Sequence, residues 1–251
     1  MADTGTTPRE RYRAQVRAEI KAHAWEQIAT AGASALSLNA IAKQMGMSGP
    51  ALYRYFANRD DLITELIRDA YRSLADSVQE AAASGAALPA LAHALRAWAL
   101  ADPQRYLLIY GTPVPGYHAP DDVTAISNEI MSVLLDAAVA PAPPGPYSAA
   151  SHSSGPDSPD PHSPEAASPA DTPPANTPPT TTTPLEAHLA DHRRWADGHS
   201  AATPPALRTA LTFWSRLHGV LSLELAGHFT GMGFDPDVLF EEEVSSLRGG
   251  V

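Results

Sequence analysis

The sequence predicts an all-α protein, with a three-helix helix-turn-helix head at the N-terminus and a larger helical domain after it. Apolar residues recur every three or four positions along most of the chain, which is the helical period, and no stretch alternates as a strand does. Two short helices around Gly46 have the pattern of a helix-turn-helix. A long amphipathic helix follows them and is able to link a small head to a larger body.

The composition limits the class of protein. The chain has 251 residues and no cysteine, so one large or two modest domains are expected and nothing suggests a disulfide framework. The polar N-terminus lacks the apolar run of a signal peptide, and no window approaches the ~18 apolar residues of a membrane span. We therefore expect a soluble cytoplasmic protein without a membrane partner.

Charge is distributed unevenly along the chain. The formal net charge of −11 argues, taken whole, against a nucleic-acid partner. Between Arg9 and Arg59, however, eight Lys or Arg stand against three Glu, whereas from Ser73 onward seven Arg stand against twenty Asp or Glu. Phosphate neutralisation is local to the contact face, so this asymmetry favours a basic DNA-facing module on an acidic body. The alternative is a chance excess of basic residues on a solvated helix.

The head is predicted at 9–57, after a disordered N-terminus at 1–8. A first helix over 9–31 carries an apolar residue at every fourth position, and its three early arginines either reach DNA or form a solvated arm. Ser48 is placed to cap a further helix, with Pro50 in its first turn. Leu52 and Phe56 fix the buried face of that helix. Its remaining faces carry small residues and one arginine, which suits a DNA major groove.

A connecting helix is predicted at 58–83, and a body at 84–139 and 185–251. Within the body, 106–110 is apolar nearly all round and is therefore expected to be buried. Residues 140–184 hold fourteen of the twenty-four prolines and thirteen Ser or Thr. Such a segment cannot bury enough surface to offset its ordering entropy, so it is predicted to be a disordered insertion. A passive loop is favoured over a proline-rich ligand for a partner.

The longest apolar pattern in the chain begins at Pro204 and carries two adjacent stripes. One intramolecular contact needs only one stripe, so the other is expected to pack against a second subunit and form a homodimer. The predicted interface residues are Leu207, Leu211, Leu221 and Leu225.

Residues 37–67 resemble the DNA-binding head of the TetR family of bacterial regulators. The hydroxyl-x-x-x-Ile-Ala opening is present at Ser37 to Ala42, and the Leu-Tyr-x-x-Phe core at Leu52 to Phe56, followed by Arg59 and Leu62. The body resembles a TetR subgroup with a Trp-x-x-x-His-Gly motif, here Trp214 to Gly219. The long insertion departs from the family pattern.

The resemblance implies a homodimer on a palindromic operator, usually a repressor released when a small molecule binds its C-terminal domain. By position, Ser37 and Tyr53 would contact phosphates, with Arg59 nearby. The residues that would face bases are Gly49, Pro50, Ala51 and Arg54. Hydroxyls and cations suit phosphates, and arginine pairs bidentately with guanine. The predicted DNA-binding residues are Ser37, Ser48, Gly49, Pro50, Ala51, Tyr53, Arg54, Tyr55 and Arg59.

Aromatic residues and histidines in the body are candidates for a ligand cavity, although ordinary core packing explains any single one equally well. His188 and His192 have a metal-binding spacing, but no ligand set completes it, so neither metal nor cofactor is expected. No catalytic triad, paired carboxylates or phosphate-binding loop stands out, which argues against an enzyme. The candidate pocket residues are His93, Trp98, Tyr106, Tyr110, Phe213, Trp214 and His218.

The leading hypothesis is a ligand-responsive transcriptional repressor that binds double-stranded operator DNA. An enzyme or ligand carrier that uses the same cavity is the competing class, with the head as a structural lobe. An activator, or a regulator without a ligand, shares the same sequence pattern and stays open.

Overall fold

The computed structural model describes residues 7–85, 87–111, 114, 117–139 and 182–246, and within these ranges it contains helices and turns but no strand. The predicted all-α fold class is confirmed. The predicted disordered segments lie mainly outside the described residues, but Pro8 and Pro184 already begin helices. The helices are α1 (Pro8–Ala31), α2 (Leu38–Gln44), α3 (Gly49–Leu52), α4 (Arg59–Ala83), α5 (Leu88–Ala101), α6 (Pro103–Tyr110), α7 (Asp121–Val139), α8 (Pro184–Asp191), α9 (Pro204–Leu225) and α10 (Pro236–Ser246).

The head consists of α1, α2, α3 and the first half of α4 around one apolar core. The turn between α2 and α3 depends on Gly46, whose φ of +64° favours glycine. The N–H of Met47 then donates to the carbonyl of Ala42 at 2.8 Å and closes the end of α2. The α-helix α3 ends at Leu52, earlier than the buried spacing predicted, and a turn carries Phe56 into the core at 0% exposure.

The body packs the second half of α4 with α5, α6, α7, α9 and α10 around a second core. None of the described helices has the length and hydropathy that a bilayer crossing requires. The largest side chains that are fully buried in this core are Tyr106, Phe213 and Phe240.

Helix α6 lies between the two cores. Its Leu108, together with Val123 of α7, packs in the core of the head, whereas Tyr106 packs in the core of the body. The guanidinium of Arg105 lies 5.7 Å from the centroid of the Trp25 ring in α1. The prediction that 106–110 is buried all round is wrong at Leu107, which is 36% exposed. A helix that contacts two cores on separate faces leaves one side to solvent.

The helix α9 buries two of the four leucines that were assigned to the dimer interface. Leu207 packs with α7 and α8, Leu221 packs in the body core, and both are 0% exposed. A side chain without exposed surface in one chain has none to give to a second copy, so these two are core residues. Leu211 and Leu225 are half-buried.

Candidate DNA-reading head and aromatic cluster

The segment from Ser48 to Tyr55, which we call the recognition segment, lies at the surface of the head. Ser48, Pro50, Tyr53 and Arg54 are exposed, whereas Gly49, Ala51 and Tyr55 are half-buried. A Cβ added at Gly49 would lie 3.5 Å from Oδ1 of Asn39 in α2, an ordinary contact. The start of α3 therefore packs beside the first turn of α2.

Ser37 caps the start of α2 and is also hydrogen-bonded to α1. Its hydroxyl oxygen accepts a hydrogen bond from the N–H of Ala40 at 3.3 Å, and its own N–H donates to Oε1 of Gln27 at 2.9 Å. A capping hydroxyl still has its own proton to donate. The geometry is therefore compatible with the predicted contact between Ser37 and a phosphate.

Arg59 turns toward the protein. Its Nη2 donates to the carbonyl of Ala33 at 2.6 Å, and its Nε donates to the carbonyl of Leu36 at 3.2 Å. Nη1 lies 3.7 Å from Oδ1 of Asp60. In the structure Arg59 therefore holds the turn before α2, and its side chain is 32% exposed.

Two arginines that the sequence analysis did not single out for this purpose support the end of the recognition segment. Nη1 of Arg17 donates to the carbonyl of Tyr55 at 2.6 Å, and its guanidinium lies 4.2 Å from the centroid of the Phe56 ring. Nη2 of Arg13 donates to the carbonyl of Arg54 at 3.4 Å. Their spacing of four places them on one face of α1, but nothing in the sequence names a partner 38 residues away.

The other cations of the head differ in whether they are paired with an acid. Arg9, Arg11, Lys43 and Arg54 form no ion pair within the described part of the chain, whereas Lys21 is paired with Asp69 of α4 at 2.5 Å. Unpaired cations keep their full charge for phosphates. The surface therefore suits a polyanion.

In the body, α6 and α9 bring four of the seven predicted pocket residues together. The Tyr106 hydroxyl lies 3.0 Å from Nδ1 of His218 and 2.9 Å from Oγ of Ser222. The His218 ring lies 4.0 Å from the Trp214 ring and 4.2 Å from the Tyr110 ring, between centroids. We call Tyr106, Tyr110, Trp214 and His218 the aromatic cluster.

Burial keeps the titratable groups of the aromatic cluster neutral. Desolvation raises the pKa of both tyrosines, Tyr106 and Tyr110, and lowers the pKa of His218 to about 4. Nε2 of His218 and the hydroxyl of Tyr110 are buried without a hydrogen-bond partner among the described residues. An unpaired buried polar group costs about 1–3 kcal/mol, so the cluster has an unmet capacity for two hydrogen bonds.

The other three predicted pocket residues make no ring contact with the aromatic cluster within the described part of the chain. Nε1 of Trp98 donates to Oγ of Ser73 at 3.0 Å, and Phe213 is 1% exposed in the body core. His93 is exposed, with Nδ1 3.6 Å from Oε1 of Glu241. Sequence reasoning missed Ser222, which shares the Tyr106 hydroxyl and lies one helical turn after His218.

The histidines near α8 do not form a metal site in the described ranges, where no group of three His, Cys, Asp or Glu has suitable geometry. The rings of His188 and His192 are stacked with centroids 4.0 Å apart. Nε2 of His199 lies 2.9 Å from Oδ1 of Asp136.

Two family models match this chain. The model described as "Bacterial regulatory proteins, tetR family" matches residues 20–66, and "Tetracyclin repressor-like, C-terminal domain" matches residues 88–247. The chain belongs to the TetR family. This agrees with the prediction of a transcriptional regulator rather than an enzyme. The two matches leave residues 67–87 between them.

Individual relatives support the same assignment. The crystal structure of SCO4313, described as a candidate regulatory protein, is 61% identical, with a TM-score of 0.76 over 97% of this chain and 100% of that one. The HTH-type transcriptional regulators Mb1846 of Mycobacterium bovis and Rv1816 of Mycobacterium tuberculosis are each 43% identical over 135 residues. That alignment covers 51% of this chain and 58% of each relative. A protein with unknown function from Rhodococcus sp. RHA1 shares the fold at 18% identity and a TM-score of 0.58, over 94% of this chain and 95% of that one.

Proposed function

We propose that this TetR-family protein is a homodimeric, DNA-binding repressor that a small molecule releases from its operator. The observation that carries the proposal is the exposure of Tyr53 and Arg54 on a head that carries further exposed cations without an ion pair to a described residue. Two such segments would enter successive major grooves about 34–36 Å apart. We further assign the chain to the subgroup with the Trp-x-x-x-His-Gly motif, on the residues Trp214 to Gly219.

The recognition segment divides between base and phosphate contacts in this proposal. Arg54 reads a base because its side chain is exposed and long enough to reach the groove floor, while Gly49 and Ala51 allow close approach. Tyr53 and Ser37 donate their hydroxyl protons to phosphates. Arg59 acts indirectly, by fixing the turn before α2.

The test of DNA binding is selection of duplexes from a random-sequence pool with the wild-type protein. The enriched sites should be palindromic. Affinity for them should fall steeply as the salt concentration rises, because lysine and arginine side chains release counterions from the DNA when they contact its phosphates. A pool without any enriched sequence would favour the competing ligand carrier.

The surface for the second subunit is proposed at the end of α9, the following loop and the start of α10. This region exposes large apolar side chains, which a monomer rarely leaves in water without a use. They are Leu223 at 45%, Met232 at 63%, Phe234 at 40% and Val238 at 69%. The half-buried Leu211 and Leu225 remain candidates for the edge of the interface, whereas Leu207 and Leu221 do not.

Leu223→Glu tests this interface by placing a charge on it. The variant should have the mass of a monomer in light scattering at concentrations where the wild type is a dimer. Leu100→Glu is the matched control, since Leu100 is 42% exposed on α5. A dimeric Leu223→Glu protein would exclude this surface.

The ligand is proposed to bind at the aromatic cluster and to be uncharged. The unpaired Nε2 of His218 and hydroxyl of Tyr110 support the site, and the neutral state of its titratable groups supports the charge. The rings contact one another, so a ligand has to displace at least one of them. Binding therefore requires a second arrangement of α6 against α9, and it would shift the protein toward that arrangement.

Three probes of similar shape and different charge test the ligand chemistry. Indole, indole-3-acetate and tryptamine are neutral, anionic and cationic at pH 7. Neutral indole should raise the melting temperature most, and His218→Leu should abolish the difference. A larger shift with either charged probe would contradict an uncharged ligand.

A further inference from the structure

A chain of charged side chains connects the recognition segment to the body. Nη2 of Arg17, whose Nη1 holds the Tyr55 carbonyl, lies 3.2 Å from Oε2 of Glu65 in α4. The other oxygen of Glu65 is paired with Arg68 one turn further along α4. Nη2 of Arg68 lies 2.6 Å from Oδ2 of Asp122, in the first turn of α7. Four links thus lead from a backbone carbonyl of the recognition segment to a body helix.

We propose that Asp122 sets the position of the recognition segment through Arg68, Glu65 and Arg17. These four are positioning residues, since each affects DNA binding only through the next residue in the series of ion pairs. The proposal rests on DNA binding by the head and is independent of the ligand and of the dimer interface.

Exposed ion pairs generally contribute little free energy, so these ion pairs can influence DNA binding only if they are shielded from water. The side chains of Arg17, Glu65 and Arg68 are only 30%, 25% and 31% exposed. The Arg17 guanidinium also covers the Phe56 ring, which removes water from one of its faces. Screening is therefore weaker at the two ion pairs among these residues than at an open surface pair, whereas the carboxylate of Asp122 is 56% exposed.

The shared carboxylate makes the contact between Arg17 and Glu65 depend on the contact between Arg68 and Asp122. Glu65 divides its two oxygens between Arg17 and Arg68, and Arg68 divides its donors between Glu65 and Asp122. Without Asp122, Arg68 would turn all its donors to Glu65 and draw that carboxylate away from Arg17. Arg17 would then hold the Tyr55 carbonyl less firmly, and the recognition segment would sample more orientations.

The packing beside Asp122 anchors the same end of α7 to the head. The next residue, Val123, is 1% exposed and belongs to the apolar core of the head. A movement of α7 in the body therefore reaches Asp122 and the head together. The ion chain is the polar part of that junction, and Val123 is the apolar part.

Two neighbouring acids provide matched controls. Glu129 of α7 pairs with Arg72 of α4 at 2.7 Å, so it also joins these two helices, but its pair has no link to Arg17. Asp121 lies in the same first turn as Asp122 and shares its effect on the helix dipole, without an ion pair to a described residue. Asp122→Asn, Glu129→Gln and Asp121→Asn each remove one charge from α7.

The test measures dissociation constants for a duplex selected with the wild-type protein and for a scrambled duplex of the same length. Asp122→Asn should weaken binding to the selected duplex about threefold or more and leave the scrambled duplex unchanged. The two control variants should stay within about twofold of the wild type on both duplexes. A loss of equal size on both duplexes, or the same loss in Glu129→Gln, would overturn the proposal.

A double-mutant cycle separates a chain from independent effects. Glu65→Gln cuts the chain in the middle, so adding Asp122→Asn to it should cause no further loss on the selected duplex. If Glu65→Gln does not fold, Arg17→Lys serves as the background, because lysine keeps the charge but lacks the planar fork that contacts both partners. Losses that add in the double variant would contradict the proposal.

Discussion

The head and the body of this protein differ in how completely their buried polar groups are paired. In the described part of α1 to α3 and the first half of α4, every buried side-chain polar atom has a hydrogen-bond partner. The unpaired atoms belong to residues between Arg96 and Glu224, and of these only Tyr117 packs against the core of the head. In the head, Arg17 and Arg59 donate hydrogen bonds to backbone carbonyls that lie outside the helices. The aromatic cluster leaves Nε2 of His218 and the Tyr110 hydroxyl unpaired. A fully paired network fixes one shape, while an incomplete network leaves hydrogen bonds for a ligand to supply.

The largest expected effect follows from the burial of His218. Its folded-state pKa is lowered from 6.5 to about 4 by desolvation, so below pH 6.5 the unfolded chain binds more protons than the folded one. Stability should be complete above about pH 6.5 and should fall by about 3 kcal/mol as the pH drops to 4. Urea unfolding across this range measures the loss.

A comparison of two histidine variants isolates the contribution of His218. His218→Gln should remove this part of the pH dependence, whereas His93→Gln, at an exposed position on α5, should keep it. Carboxylates that titrate near pH 4 contribute equally to both variants. Parallel stability curves for wild type and His218→Gln would show that the aromatic cluster is wetter than described.

The next effect concerns the head. Arg54→Ala should lower discrimination at one base pair of each half-site by about 1–3 kcal/mol, because a bidentate contact to a base is lost. Binding to the other positions should keep its preferences, as measured by competition among duplexes with single base changes. An unchanged preference profile would remove Arg54 from the base-reading set.

Tyr53→Phe is the matched change for a phosphate contact. It should weaken binding to all duplexes by a similar factor of about five, since the lost hydrogen bond carries no sequence information. The same competition assay measures it. A selective loss at one base pair would assign Tyr53 to base reading instead.

The last two variants distinguish the paired from the unpaired hydroxyl in the aromatic cluster, and one of them is expected to have almost no effect. Tyr106→Phe removes a hydroxyl that bonds His218 and Ser222, and should destabilise the fold by about 1–2 kcal/mol. Tyr110→Phe removes a hydroxyl without a partner, and should be neutral or slightly stabilising. Denaturant midpoints measure both. Equal destabilisation by the two variants would mean that the Tyr110 hydroxyl is paired too, which would contradict the difference between head and body.

Local signals in the sequence explain why so much of the fold was predictable. Ser37, Asn58 and Thr203 each accept a backbone N–H at the start of a helix, and such caps are readable because the partner lies three residues away. Gly46 marks a turn for a similarly local reason. The helices themselves were predicted mainly from another local signal, the recurrence of apolar residues every three or four positions.

The interior contacts were less predictable because their partners are distant in sequence. Two apolar stripes on α9 do not say which one faces the core, and Leu207 and Leu221 were assigned to the wrong side. Arg59 resembled a phosphate contact by position, but its donors reach carbonyls more than twenty residues earlier. The cluster of His218 with Tyr106 joins residues 112 apart, and only the four predicted members that share the α6–α9 contact came together.

Hydrogen exchange of the full chain, with and without the selected duplex, tests most directly whether the head is the DNA-reading part. The duplex should slow amide exchange between residues 37 and 56, where α2 and the recognition segment lie, and should leave α9 and α10 as they are in the free protein. Slowed exchange confined to α9 and α10, with residues 37–56 unchanged, would contradict the account.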